Sequence, residues 1–120
     1  MDKVSAEVQL ESIKSFQSTI RKTEKAAAQM KGKSAQTGLV KKRLHALLIG
    51  LAVLETVWNE KPNSFSMEEL AQARTVLTGL LPSVENQYAK SKTGSPQRTL
   101  LERRIQSLEL AIRAIDEISN

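Results

Sequence analysis

The chain has 120 residues, of which 40% are hydrophobic and 26% charged, a balance that suits one globular domain with its own core rather than a disordered tract. It contains no cysteine, which excludes disulfides, thiolate metal sites, iron–sulfur clusters and cysteine nucleophiles. A net charge of +5 leaves nucleic acid, acidic lipid and acidic protein surfaces open as partners.

Aromatic residues make up only 3%, and the apolar positions are mostly Leu, Ile, Val and Ala, which favours helices packed on helices. The opening Met-Asp-Lys-Val-Ser-Ala-Glu has no basic segment leading into an apolar one. The longest apolar run, Ala46 to Leu54, is about half a membrane span. The expectation is a cytoplasmic protein without membrane insertion.

In chain order, a first helix is predicted over about residues 3–30, ending at Lys31-Gly32-Lys33, whose glycine can close it. Ser34 is placed to cap a second helix over about 35–60, with a stripe of Val40, Leu44, Leu47, Leu51 and Leu54. Lys61-Pro62-Asn63-Ser64 is the longest break. Ser66 with Glu69 forms a capping box, and Phe65 is positioned to staple onto Leu70, so a third helix starts at Met67 and runs to about residue 90. Pro82 should bend this helix near Gly79 or split it in two. Ser95 followed by Pro96 places an N-cap before a proline at the first helical position, opening a fourth helix over about 96–118. Its stripe is Leu101, Ile105, Leu108, Ile112 and Ile115.

Residues 31–59 align without a gap on residues 92–120, an offset of 61, with Ser34/Ser95, Gln36/Gln97, Leu39/Leu100, Arg43/Arg104 and Leu47/Leu108 identical. The offset also pairs Phe16 with Leu77 and Ile20 with Leu81. The expected architecture is all-α: one domain over residues 1–120, an up-down antiparallel four-helix bundle of two duplicated hairpins, 1–60 and 61–120.

Enzymatic chemistry needs convergent groups, and few are present. His45 is the single histidine, so neither a His pair for zinc nor the Glu-x-x-His pattern of di-iron bundles can be written. No glycine-rich phosphate loop follows a strand. Glu68 and Glu69 sit where a helix N-terminus welcomes negative charge, and Asp116 and Glu117 read as solvated surface. No cofactor or metal is expected.

Two features could carry function. In an up-down bundle, thirteen basic residues against three acidic ones would crowd the end holding the loops near residues 32 and 93. Lys31, Lys33, Lys41, Lys42, Arg43, Lys92, Arg98, Arg103 and Arg104 form the candidate surface for an anion or acidic partner. Secondly, where the fourth helix has Glu102, Gln106, Glu109 and Arg113, the second has Lys41, His45, Leu48 and Ala52, with Trp58 in place of Ser119. His45, Leu48, Ala52 and Trp58 are thus a candidate interface for a homodimer or protein partner, unless the second helix is simply more central in the bundle. The reading is a small non-enzymatic interaction or regulatory protein that binds another macromolecule through the basic end and the apolar face of the second helix. The alternative is an accessory nucleic-acid or polyanion binder.

Overall fold

The computed structural model describes residues 3–30 and 35–119. They form four helices: α1 (Ala6–Gln29), α2 (Ala35–Asn59), α3 (Met67–Lys90) and α4 (Pro96–Ser119). Local chemistry sets most of these limits. The Ser5 hydroxyl accepts from the Val8 amide at 3.2 Å and caps α1. At α3 the predicted box closes in both directions: Ser66 Oγ accepts from Glu69 N at 3.1 Å, and Glu69 Oε1 accepts from Ser66 N at 3.1 Å. Ser95 Oγ accepts from Arg98 N at 3.1 Å, with Pro96 in the first turn of α4. The Ser34 cap expected for α2 lies outside the described residues.

Between α2 and α3 the chain turns at Glu60, whose φ of +53° is left-handed, and Asn63 Oδ1 then accepts from Phe65 N at 3.0 Å. Pro82 does not split α3, which runs unbroken from Met67 to Lys90. The proline is exposed and leaves the carbonyl of Thr78, also exposed, without its helical donor. Pro82→Ala restores that hydrogen bond and should raise stability by about 1–2 kcal/mol, part of the proline penalty in a helix interior. The urea unfolding midpoint measures this, and a lower midpoint would show that packing depends on the proline.

The helix starts and part of the burial recur at the offset of 61, although Leu70, Val84 and Leu101 are buried where Gln9, Thr23 and Val40 are only half-buried. Ala6 and Met67 begin α1 and α3, and Ala35 and Pro96 begin α2 and α4, each pair 61 positions apart. Along α2 the buried residues are Ala46, Leu47, Ile49, Gly50, Val53 and Leu54. At the same offset α4 buries Ser107, Leu108, Leu110, Ala111, Ala114 and Ile115. Phe16 on α1 and Leu77 on α3 are likewise paired and almost fully buried.

The packing respects the same equivalence. α1 lies against α2 and α4, α3 lies against α4 and α2, and α2 also touches α4, while α1 and α3 stay apart. Of the two diagonal pairs, α2 and α4 are in contact and form the short diagonal, whereas α1 and α3 are not in contact. Small residues are buried at matching places on both helices: Ala46, Gly50 and Val53 on α2, and Ser107, Ala111 and Ala114 on α4, recur at steps of four and three. The expected stripes hold in part: Leu47 and Leu54 on α2 and Leu101, Leu108 and Ile115 on α4 are buried, while Leu44, Leu51, Ile105 and Ile112 are half-buried and pack against the core.

At the core's centre Gly50 lets two chains in. A β-carbon there would lie 3.1 Å from Phe16 Cε1 and 3.2 Å from Leu77 Cδ1, so α1 and α3 both reach the backbone of α2 at this point. The molecule measures 39 × 37 × 20 Å. A 24-residue helix is about 36 Å long, so two dimensions equal a helix length and the helices spread over both instead of lying along one axis.

Candidate functional site

The C-terminal parts of α1 and α3 and the N-terminal parts of α2 and α4 come together around a recess. Its inner lobe, about 180 Å³, is lined by Thr19 and Thr23 of α1, Arg43 and Leu47 of α2, Leu80 and Val84 of α3, and Arg104 and Leu108 of α4. The outer lobe, about 270 Å³, shares Thr19, Thr23, Arg43 and Arg104 and adds Lys22, Ala26 and Val40. None of the described lining residues is acidic. Thr19 and Thr23 point their hydroxyl hydrogens back along α1, to the carbonyls of Ser15 at 2.9 Å and Thr19 at 2.8 Å. They therefore present oxygen lone pairs and methyl groups to the recess, and its donors are the guanidinium groups and Lys22.

Arg43 and Arg104, identical residues 61 positions apart, thus face one space from the two helices of the short diagonal. Arg43 is exposed, whereas Arg104 is half-buried and its Nε is shut off from solvent without a hydrogen-bond acceptor. Among the described residues no carboxylate lies within ion-pair distance of either. Burial lowers the Arg104 pKa from its ordinary value, because withdrawal from water disfavours the charged form. Neighbouring backbone is tied down: Ser107 donates to the Arg104 carbonyl at 2.9 Å, and its oxygen lies 3.4 Å from Ser15 Oγ on α1.

The other basic residues expected at this surface have different circumstances. Lys41 and Lys42 are exposed in the early turns of α2, and Lys42 lines a shallow groove against α3 with Leu39, Arg43, Val76, Gly79 and Leu80. Lys92 is exposed in the turn before α4. Arg98 is occupied internally. Its Nη1 donates to the carbonyls of Tyr88 at 3.3 Å and Ser91 at 3.0 Å, closing the C-terminus of α3, and its guanidinium lies 4.1 Å above the Tyr88 ring. Arg103 pairs with Glu11 at 3.4 Å in a cleft of about 480 Å³ between α1 and α4, lined by both acids and bases together with the exposed Leu10 and Leu100. Lys31 and Lys33 lie outside the described residues.

On the second candidate surface, Lys41, His45 and Leu48 are exposed along one side of α2, with Leu48 46% accessible, and Ala52 is partly covered. Trp58 is different: it packs against the core, and its indole nitrogen is buried without a partner. Asp116, expected as solvated surface, receives a two-pronged contact from Arg74, with Nε to Oδ1 at 2.5 Å and Nη2 to Oδ2 at 3.2 Å. That hydrogen bond, followed by the charge of Asp116, raises the Arg74 pKa. Both side chains are about half exposed, so solvent screens the pair.

Sequence reasoning did not single out the α1 wall of the recess. Thr19, Lys22, Thr23 and Ala26 recur at helical spacing, so one side of α1 was legible, but nothing local says that it meets Arg43 and Arg104. Among the described residues no group of three or more His, Asp or Glu is placed to hold a metal ion, and no helix is long and apolar enough to cross a membrane. Comparison with protein-family models, with curated proteins and with solved structures finds no match to this chain. The class defined by fold and site is an all-α four-helix bundle with a basic recess that has no acidic residue among its described lining.

Proposed function

We propose that this chain is a non-enzymatic interaction protein that docks an acidic protein partner on its basic half, with the adjoining side of α2 as a second contact. The observation that carries the reading is the absence of described acidic partners for four cations there: Lys41, Lys42, Arg43 and Arg104 are unpaired, whereas Arg103 of the same half pairs with Glu11, and elsewhere described ion pairs join Lys61 to Glu55 and Arg74 to Asp116. Lys41 leads along the helix through His45 to Leu48, so a partner on this side would meet charge first and apolar surface next. An accessory nucleic-acid or polyanion binder is less favoured on one specific ground. Tyr88 lies under Arg98 and Trp58 packs on the core, which removes both as stacking platforms for bases.

The test compares labelled poly-L-glutamate with a labelled DNA duplex by fluorescence anisotropy, from about 50 to 200 mM salt. Poly-L-glutamate is expected to bind, to weaken as salt rises, and to lose at least tenfold in affinity in a Lys41→Ala, Lys42→Ala, Arg43→Ala variant. Removing Lys14, Lys61 and Arg113 should change it less than threefold. Equal losses in both variants, or tighter binding of the duplex than of poly-L-glutamate at every salt concentration, would overturn the proposal.

A further inference from the structure

The recess between Arg43 and Arg104 has more specific chemistry than a basic surface needs. A surface that only attracts acidic partners keeps its cations in water, where desolvation is avoided. Arg104 instead has its Nε withdrawn from solvent with no acceptor, at the junction of all three recesses it lines. An unpaired, partly buried guanidinium is unfavourable until an anion joins it. Behind it the inner lobe is walled by Leu47, Leu80, Val84 and Leu108, an apolar space that no cation requires.

We propose that this recess is a binding site for a small ligand with a phosphate head and an apolar body. The head sits between Arg43, Arg104 and Lys22, and the body enters the inner lobe. This rests on the reading that the basic half binds anions, and it adds a discrete pocket to that surface. Three cations around one space suit a dianion, and guanidinium forks match the oxygens of a phosphate better than ammonium groups do. The space is adequate as well: an apolar cavity of about 150 Å³ holds a benzene ring, and the inner lobe measures about 180 Å³. Because the Thr19 and Thr23 hydroxyl hydrogens are already committed to helix carbonyls, recognition of the head falls to the three cations.

The experiment titrates the full chain with inorganic phosphate, phenyl phosphate and benzoate, followed by calorimetry and by amide shifts in NMR spectra. Phenyl phosphate should bind at least tenfold more tightly than either other probe, with the largest shifts at residues 19–23, 43–47, 80–84 and 104–108. Arg104→Met and Arg43→Met should each weaken phenyl phosphate at least thirtyfold, and Arg104→Lys by less, since it keeps the charge. Arg43 is exposed, so its variant remains informative should Arg104→Met disturb the fold. Phosphate binding as tightly as phenyl phosphate, benzoate binding more tightly, or both methionine variants binding like the wild type would overturn the proposal. Poly-L-glutamate separates the two readings. If it binds and phenyl phosphate does not, the pocket alone falls; if phenyl phosphate binds and poly-L-glutamate does not, the pocket stands and the acidic-protein reading falls.

Discussion

Phe16→Ala is expected to lower stability by about 3–5 kcal/mol, the range for emptying a well-packed phenylalanine site. Small domains hold only about 5–15 kcal/mol in all, so the variant should be partly unfolded at 37 °C. The size follows from its place: Phe16 is 1% exposed and packs on α2 of its own hairpin, 3.1 Å from where a β-carbon at Gly50 would stand, beside Leu77 from the other half. Its loss opens space where α1, α2 and α3 meet around Gly50. Leu77→Ala, at the paired position, should cost about 2–5 kcal/mol. Urea denaturation checks both, and a loss under about 1 kcal/mol for Phe16→Ala would show that the core closes over the gap.

Gly50→Leu should be damaging for the opposite reason. Its β-carbon would stand 3.1 to 3.2 Å from ring and methyl carbons of Phe16 and Leu77, closer than carbon atoms pack, and its branched end has no free volume to enter. Overpacking costs about 1–3 kcal/mol and occasionally more, and the upper end is expected here because two elements must move together. Gly50→Ala should be nearly neutral, since alanine gains about 1 kcal/mol of helix propensity over glycine and needs shifts of only a few tenths of an ångström. The two sites should also couple. In a Phe16→Ala background the leucine at position 50 fills the vacated space, so its cost should fall by at least about 1 kcal/mol in a double-mutant cycle. Strict additivity would mean that the side chains do not share this volume.

The candidate site was legible in part. Arg43 and Arg104 were identified as an identical pair in the aligned halves and placed on a basic surface. Their role in one recess depends on α2 and α4 crossing the short diagonal, which no run of sequence states. Arg98 shows the complementary case. As one charge among several it counts toward a basic end, yet its guanidinium closes α3 and covers Tyr88, because the turn at Gly94 (φ +81°) brings the start of α4 back beside the end of α3. Trp58, expected at an exposed interface, packs inward while Leu48, nearly three turns earlier, stays in solvent.

What the amino acids determined unaided are the elements themselves: where α3 and α4 begin, where the chain breaks at 60–66, and that all of it is helical. These depend on hydrogen bonds between residues three or four apart, such as Ser66 with Glu69 and Ser95 with Arg98, and on apolar spacing within single helices. The tertiary structure alone decided that Ala46, Gly50 and Val53 on α2, and Ser107, Ala111 and Ala114 on α4, would occupy the centre of the buried surface. Small side chains carry little hydrophobic signal, but Gly50 has no bulk to hold Phe16 and Leu77 away from α2, and Ser107 lies 3.4 Å from Ser15 of α1. Which neighbours fill that space is settled only when the helices are assembled, and so is the sharing of one recess by Arg43 and Arg104.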